Sequence, residues 1–433
     1  MKISVVTAFP ALYEPFMATS LLKKAQATGL ISCDIQSLFS FVAPKERIDA
    51  PPYGYGAGML IRPEVIERAV TAQEERHGKA FKVFFSPHGV KITQPLLVTL
   101  AAQIAEQGHL MVLPARYEGM DARVEEEYAD AIVSVGDYVL MGGDLPAMIF
   151  LEGILRLMPG IVGKESSVTH DSFSGPYVDY PSYTEPLVWQ DKEVPAVLRS
   201  GDHGAVDAWR HAQAVERTVF YHFDWLRSSE LTDVQKKEAE ARIPAHYAAL
   251  MHSDVLVSAA KTVGTTSVTS LDIHDIARSA RTYGIKEYYI VTPLSDQQRV
   301  VQKLLDFWHD GPGRPYNPNR FEAVSQVTVQ DSLDAVCARI KAQTGLEPII
   351  IVTSAVKTDH QHVITYADQE QVWAHKRPVL FLFGTGRGLA PHIIERADYL
   401  LVPLEGLTEF NHLSVRSAAA IIFDRWLGLQ PRK

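Results

Sequence analysis

The sequence predicts an α/β protein built from two parallel-sheet domains with a small helical domain between them. Three observations lead there. Over the first 160 residues, apolar runs of strand length alternate with helical patterns, the order of βα units. From about residue 250 the same alternation resumes. The order of elements in 116–160 then recurs in 384–428, which indicates an internal duplication. A chain of 433 residues has room for about three domains.

The elements follow in order. Residues 2–9 (KISVVTAF) form a strand, 13–29 a helix stopped by Gly29, and 31–39 a second strand. Strands follow at 82–87, 109–114 and 131–136, with helices at 94–107 and 122–129. The stretch 159–186 is rich in Ser, Gly and Pro and reads as a long mobile loop. Helical patterns cover 204–226 and 232–244, the second capped by Thr232. In the repeat, Ala129-Asp130 aligns with Ala397-Asp398 and Arg156 with Arg425. Upstream, KVFFSP (82–87) has a counterpart in PIIIVTS (348–354). The domains are therefore expected at 1–160, 176–246 and 250–433, with 161–175 as a mobile connection.

Composition narrows the function. Lys and Arg total 42 against 51 Asp and Glu, a net charge of −9. Contact with nucleic acid would have to come from local cations rather than a basic surface. Two distant cysteines, Cys33 and Cys337, exclude a disulfide framework or a cysteine-rich zinc site and fit a reducing, cytoplasmic setting. The N-terminus reads as a strand rather than a signal peptide. No apolar run approaches the ~18 residues of a membrane span, so no membrane partner is expected.

No Walker loop occurs, and no GxGxxG follows the first strand. Glycine-containing turns instead end three strands: Ser86 to Gly89, Ala115 to Gly119, and Gly136 to Gly143. Ligands of α/β sheets sit beyond the carboxyl ends of strands, so these turns are candidates for one pocket.

Five motifs in order, RYEGMDARV (116–124), SVGDYVLMGGDLPAM (134–148), VTHDSF (168–173), YPSYTEP (180–186) and EVPAVLRSGDHGAVDAWR (193–210), resemble the bacterial tRNA (guanine-N1)-methyltransferase family over residues 1 to about 246. Residues 250–433, with LFGTGRGLA and LVPLEGLTEFNHLSVRSAAAI, resemble the wider SPOUT class of RNA methyltransferases. The resemblance implies two trefoil-knotted SPOUT domains, a homodimer, a tRNA substrate and S-adenosyl-L-methionine as methyl donor. The acceptor would be N1 of guanine 37, 3′ of the anticodon. The donor would lie among Phe85, Ser86 and Pro87, then Ala115, Tyr117, Glu118 and Gly119, then Val135, Gly136, Asp137, Tyr138, Val139, Leu140, Gly142, Gly143 and Pro146.

The resemblance also assigns roles. Asp171 would be the general base for the guanine N1 proton, and Arg156 would meet the charge growing on O6. A Mg²⁺ requirement is implied without ligands, although Glu118 is one acidic residue that could help place the ion. Lys164, Arg199, His203, Arg210, His211 and Arg217 would face RNA, and Tyr183 divides evenly between packing and substrate contact. Two positions depart from the family pattern: Ala115 where glycine is usual, and Tyr55 inside a glycine run.

For the second copy, the resemblance implies a donor site at Thr353, Gly384, Thr385, Gly386, Gly388, Leu389, Val402, Leu404 and Leu413. Arg278 matches an arginine of the ribose 2′-O-methylating branch, while Asp272 replaces its asparagine. Nothing corresponds to Asp171. Ribose 2′-O transfer, another RNA methylation and a non-catalytic RNA-binding or dimerisation scaffold all stay open for this domain.

Overall fold

The computed structural model describes residues 1–162 and 171–430 and divides into two compact units, Met1–Ser174 and Gly175–Lys433. The first holds an all-parallel sheet of β1 (Lys2–Thr7), β2 (Ser32–Ser37), β3 (Phe81–Lys91), β4 (His109–Leu113) and β5 (Ala131–Ser134), in the order β2-β1-β4-β3-β5. Its strands carry apolar side chains on both faces, as a sheet covered on both sides requires. Ile3, Val5, Val83 and Val112 bury one face with Leu97, Phe150 and Ile154. Val6, Phe84, Met111 and Leu113 bury the other with Val65, Ile66 and Ala69.

Local chemistry sets the element ends. The helix Gln94–Gln107 starts where the Thr93 hydroxyl accepts from the Leu96 N–H and ends at left-handed Gly108, as expected. The expected helix 13–29 is instead two, Tyr13–Met17 and Ser20–Ala27. Thr19 between them is extended and returns its hydroxyl to the Phe16 carbonyl at 2.8 Å. The strand expected to end at 87 runs on to Lys91, but Phe85 and Val90 both pair with Val133. Residues 86–89 are therefore looped out of the ladder.

The second unit repeats this plan. Its parallel strands are β6 (His246–Met251), β7 (Tyr288–Val291), β8 (Val327–Gln330), β9 (Ile349–Thr353), β10 (Val363–Ile364), β11 (Val379–Gly384) and β12 (Tyr399–Leu401). Their order is β8-β7-β6-β11-β9-β12-β10, whose inner five match the first sheet in sequence order and direction. The aligned aspartates behave alike. Asp130 accepts from the Lys82 N–H at 2.7 Å while its own N–H donates to the Lys82 carbonyl. Asp398 makes the same reciprocal pair with Ile350, at 2.8 Å.

The helical stretch 176–246 belongs to the second unit. Val215, Val219, Phe223, Leu226 and Ala239 share one core with Ala248, Ile276, Trp373 and Phe423. Arg227, nearly fully buried, donates to the carbonyls of Asp424, Arg425 and Gly428 at 2.8, 2.6 and 2.8 Å, closing the end of the helix Val415–Leu427. Part of the expected loop is a strap on the helix His203–Tyr221. Val178 N–H donates to Thr218 Oγ1 at 2.9 Å, and Arg217 donates to the Asp179 carbonyl at 3.2 Å.

Candidate active site

The looped-out residues of β3 and the turns after β4 and β5 surround one cavity of about 300 Å³. Every residue expected from the first unit's donor set lines it except Asp137. Asp137 points away and pairs with Lys91. Glu125, Val133 and Ser134 complete the wall. A volume of this size suits a small organic ligand.

The glycines have a more specific reason than ligand approach. A Cβ on Gly142 would lie 2.6 Å from Arg116 Cδ, and one on Gly143 would lie 2.8 Å from the Ala115 backbone nitrogen. The Gly143 N–H donates to the Ala115 carbonyl at 2.7 Å. These two glycines thus let the third loop lie flat on the second. Gly136, by contrast, has φ +153° and is covered by the Tyr138 ring.

An acidic anchor holds the two loops together. Asp144 opens the helix Asp144–Leu157 and is 1 % exposed. It accepts from Thr7 Oγ1 at 2.6 Å, Tyr13 OH at 3.1 Å and Arg116 Nε at 2.7 Å. Arg116 also lies over the Phe9 ring, 4.5 Å from its centroid. Burial, with the Asp144 charge second, drives the Tyr13 hydroxyl well above its ordinary range, so it acts as a donor throughout. In the sequence this aspartate is only one residue of the stretch 134–148. Its position at a helix start gave a local signal, but Thr7 and Tyr13 carried none.

Glu125 was also missed. Its carboxyl sits in the cavity wall, where burial raises its pKa and His88 works against the rise. His88 Nε2 lies 3.3 Å from Glu125 Oε2, and His88 Nδ1 lies 2.6 Å from Ser86 Oγ.

Asp171 and Arg156 come together: Arg156 Nε donates to Asp171 Oδ2 at 2.9 Å, and Nη2 engages the same oxygen. Val168–His170 of that motif and Lys164 lie outside the described residues. Among the described residues, no group of three or more His, Cys, Asp or Glu side chains is placed to hold a metal ion. The described residues therefore supply no side-chain cluster of their own for the expected Mg²⁺.

Most of the expected RNA-facing cations are engaged within the chain. Arg199 pairs with Glu193, His211 with Glu238, and Arg210 stacks on Tyr180 with its guanidinium carbon 4.9 Å from the ring centroid. His203 begins its helix exposed. Tyr183 lies 6.2 Å from Trp209, ring centroid to centroid, and remains half exposed.

The second unit's candidate residues gather at the corresponding strand ends, but several are spent on internal bonds. Thr353 Oγ1 donates to the Leu382 carbonyl at 2.9 Å, and Thr385 Oγ1 donates to that of Met251 at 2.8 Å. A Cβ on Gly384 would lie 2.7 Å from the Leu389 nitrogen. Gly386 and Gly388 have φ +61° and +104°. Leu389 and Leu404 are buried, Val402 pairs by its N–H with Ile364, and Leu413 is exposed. Arg278 is exposed on the helix Ser270–Thr282, while Asp272 accepts from Thr269 Oγ1 at 2.6 Å and Arg416 Nη1 at 3.3 Å.

Fold and site define the class first: an α/β protein of two units with parallel sheets of like order, whose first unit carries a small-ligand cavity at the carboxyl ends of its strands. Comparison with known proteins then identifies the family. The family model described as tRNA (Guanine-1)-methyltransferase TrmD matches residues 1–228, and that of SAM-dependent RNA methyltransferase matches 245–428. The chain is 39 % identical over 434 residues to a tRNA (guanine-N(1)-)-methyltransferase of Nitratidesulfovibrio vulgaris, covering 99 % of each chain. It is 38 % identical, with the same coverage, to one of Oleidesulfovibrio alaskensis. It is 44 % identical to one of Thermus thermophilus over 224 residues, 51 % of this chain and 89 % of that one. The chain belongs to the tRNA (guanine-1)-methyltransferase family.

Proposed function

We propose that the first unit transfers a methyl group from S-adenosyl-L-methionine to N1 of guanine 37 in tRNA. The observation that carries this reading is the single cavity walled by the three loops, in a chain whose family model spans 1–228. The cavity fits the donor, with apolar walls of Phe85, Pro87, Val133 and Pro146 beside backbone groups of 134–143. When bound, S-adenosylmethionine supplies the electrophilic methyl group. The chain's own residues do the rest. Asp171 accepts the guanine N1 proton, which frees the nitrogen lone pair. Arg156, already at Asp171, turns part of its donor capacity to O6 as charge grows there. Asp144 keeps the second and third loops in register.

The knot belongs to this proposal. Its support is the close passage of 142–143 over 114–116 and the return of the following helix to β1 through Thr7. A homodimer is supported by an apolar surface on the same loop and helix: Val139 is 87 % and Met141 91 % exposed, with Leu145 and Ile149 half exposed. Among the described residues no helix is long and apolar enough to cross a membrane, and the protein is proposed to act in the cytoplasm.

For the second unit the proposal is ribose 2′-O methylation of RNA with Arg278 at the site, supported by the family match over 245–428. One observation favours a scaffold instead: Arg227 and the shared core fasten the RNA-facing helices to this unit.

The test is mass analysis of anticodon-loop fragments after incubation of tRNA with the protein and methyl donor. A methyl group on guanine 37 is expected, and its absence rejects the reading. Asp171→Asn is expected to bind donor normally and lose transfer by at least a hundredfold; a variant that still transfers removes Asp171 as the base.

A further inference from the structure

Two charged residues line the first unit's cavity, Glu118 and Glu125, and both are acids. Glu118 is exposed, and a Cβ on Gly58 would lie 2.6 Å from its Oε1, so that loop crowds its outer side. The Glu125 side chain is only 19 % exposed. Burial raises its pKa, the signature of a carboxylate partly deprived of water. Its polar neighbour is His88, itself 64 % exposed with Nε2 3.3 Å away, an ion pair only when the imidazole is protonated and one that water screens. Such a carboxylate gains from a cation placed in the cavity and loses when that cation becomes neutral.

The proposed reaction makes this change. As the methyl group passes to guanine N1, the N–C bond forms and the S–C bond breaks. The sulfur keeps the electron pair and its positive charge disappears, while the N1 proton goes to Asp171. Donor and product share the ammonium and carboxylate of their amino-acid end and differ by the sulfonium charge.

We propose that Glu125 is the residue that selects the charged methyl donor over the neutral thioether product, with His88 holding it in the cavity wall. This inference rests on the reading of the cavity as the donor site. His88 is in turn fixed from the other side. With Nε2–H donated to Glu125, Nδ1 accepts the Ser86 hydroxyl proton and Ser86 Oγ presents lone pairs to the cavity. Phe85 and Val90 both pairing with Val133 is what brings Ser86 and His88 to this wall. Glu125→Gln therefore removes a charge without removing volume, and the structural frame around it stays.

The experiment is calorimetric titration of the full-length protein with S-adenosylmethionine and, separately, S-adenosylhomocysteine. Glu125→Gln is expected to weaken the methyl donor by about tenfold and the thioether by less than twofold, the scale of one partly screened charge pair. Equal weakening of both ligands overturns the proposal, because it assigns Glu125 to the shared ammonium or to the shape of the wall. Unchanged affinities overturn it as well. Glu118→Gln is the comparison: if that variant carries the whole donor preference, the assignment to Glu125 fails. A wild-type protein that binds neither ligand rejects the donor site itself, and the two failures are thereby distinct.

Discussion

Removing the carboxylate of Asp144 tests the link between fold and site. Asp144→Ala leaves Arg116, Thr7 Oγ1 and Tyr13 OH without their shared acceptor, in a place where Asp144 is 1 % exposed. Breaking a buried pair by deleting one partner costs about 3–5 kcal/mol. The Arg116 side chain is 22 % exposed and can recover some hydration, which places the expected loss near the lower end, about 3 kcal/mol. A unit of this size changes its midpoint by roughly 2–4 °C per kcal/mol, so the first unit should melt about 10 °C lower. Asp144→Asn keeps Oδ1 for Thr7 and Tyr13 but sets an amide N–H₂ against the Arg116 Nε–H that Oδ2 accepted, so it should cost about 2 kcal/mol. Differential scanning calorimetry resolves the two units as separate transitions if they melt independently, and ligand shift assigns them. A fall of under 2 °C for the alanine variant refutes the anchor. An asparagine variant that falls as far as alanine refutes the shared anchor as well, because the bonds of Thr7 and Tyr13 would then add nothing to the contact with Arg116.

Two further perturbations concern the second unit. Arg227→Met deprives the carbonyls of Asp424, Arg425 and Gly428 of their donors, an expected loss of about 3 kcal/mol. Limited proteolysis should then cut within 199–245 well before the sheet, whereas wild-type protection there would contradict the clamp. Burial holds His246 and His252 down at about 4, against an unfolded value of 6.5. The unfolded chain thus takes up protons that the fold refuses. The stability of each neutral imidazole is complete above pH 6.5 and is lost as pH falls from 6.5 toward 4, roughly 3 kcal/mol per histidine. His246 Nε2 accepts from Trp373 and Trp426 at 3.2 and 3.1 Å, so tryptophan fluorescence reports the change. A midpoint that stays flat across that window would count against both assignments.

Much of this architecture was legible because it is written locally. The helix 94–107 was read to the residue, since Thr93, Pro95 and Gly108 mark its ends within a few positions. The three loops that wall the cavity were legible because each is a glycine turn after an apolar strand. What the glycines do was not legible. Gly142 and Gly143 serve contact between loops 26 residues or more apart, and nothing in their own neighbourhood names Ala115 or Arg116. The same holds for Thr7 and Tyr13, which lie 137 and 131 residues from Asp144. The helical domain was expected to stand alone because its apolar stripe is visible while the surface that stripe covers is not. Val215, Val219 and Leu226 would suit a bundle of their own as well as the flank of a sheet.

The shared sheet order explains why the second unit invites, and then resists, a reading taken from the first. The backbone is retained where it can be matched. Tyr117 and Gly386 both occupy the left-handed region, at φ +58° and +61°, and Gly119 and Gly388 follow at +126° and +104°. Each loop is also bonded to the preceding excursion of its chain: Ile61 N–H donates to the Gly119 carbonyl and Leu256 N–H to that of Gly388. By this correspondence Glu118 falls opposite Arg387, an acid replaced by a cation. The tethers at the start of the last helix differ too. Asp144 reaches Arg116 in the first unit, and Arg416 reaches Asp272 in the second. Backbone geometry depends on where residues of either charge can sit, so it survives such exchanges; ligand preference depends on the sign of the charge and does not. A ligand held in the first unit by Glu118 and Glu125 would meet Arg387 at the equivalent loop of the second, and must there be bound by other contacts.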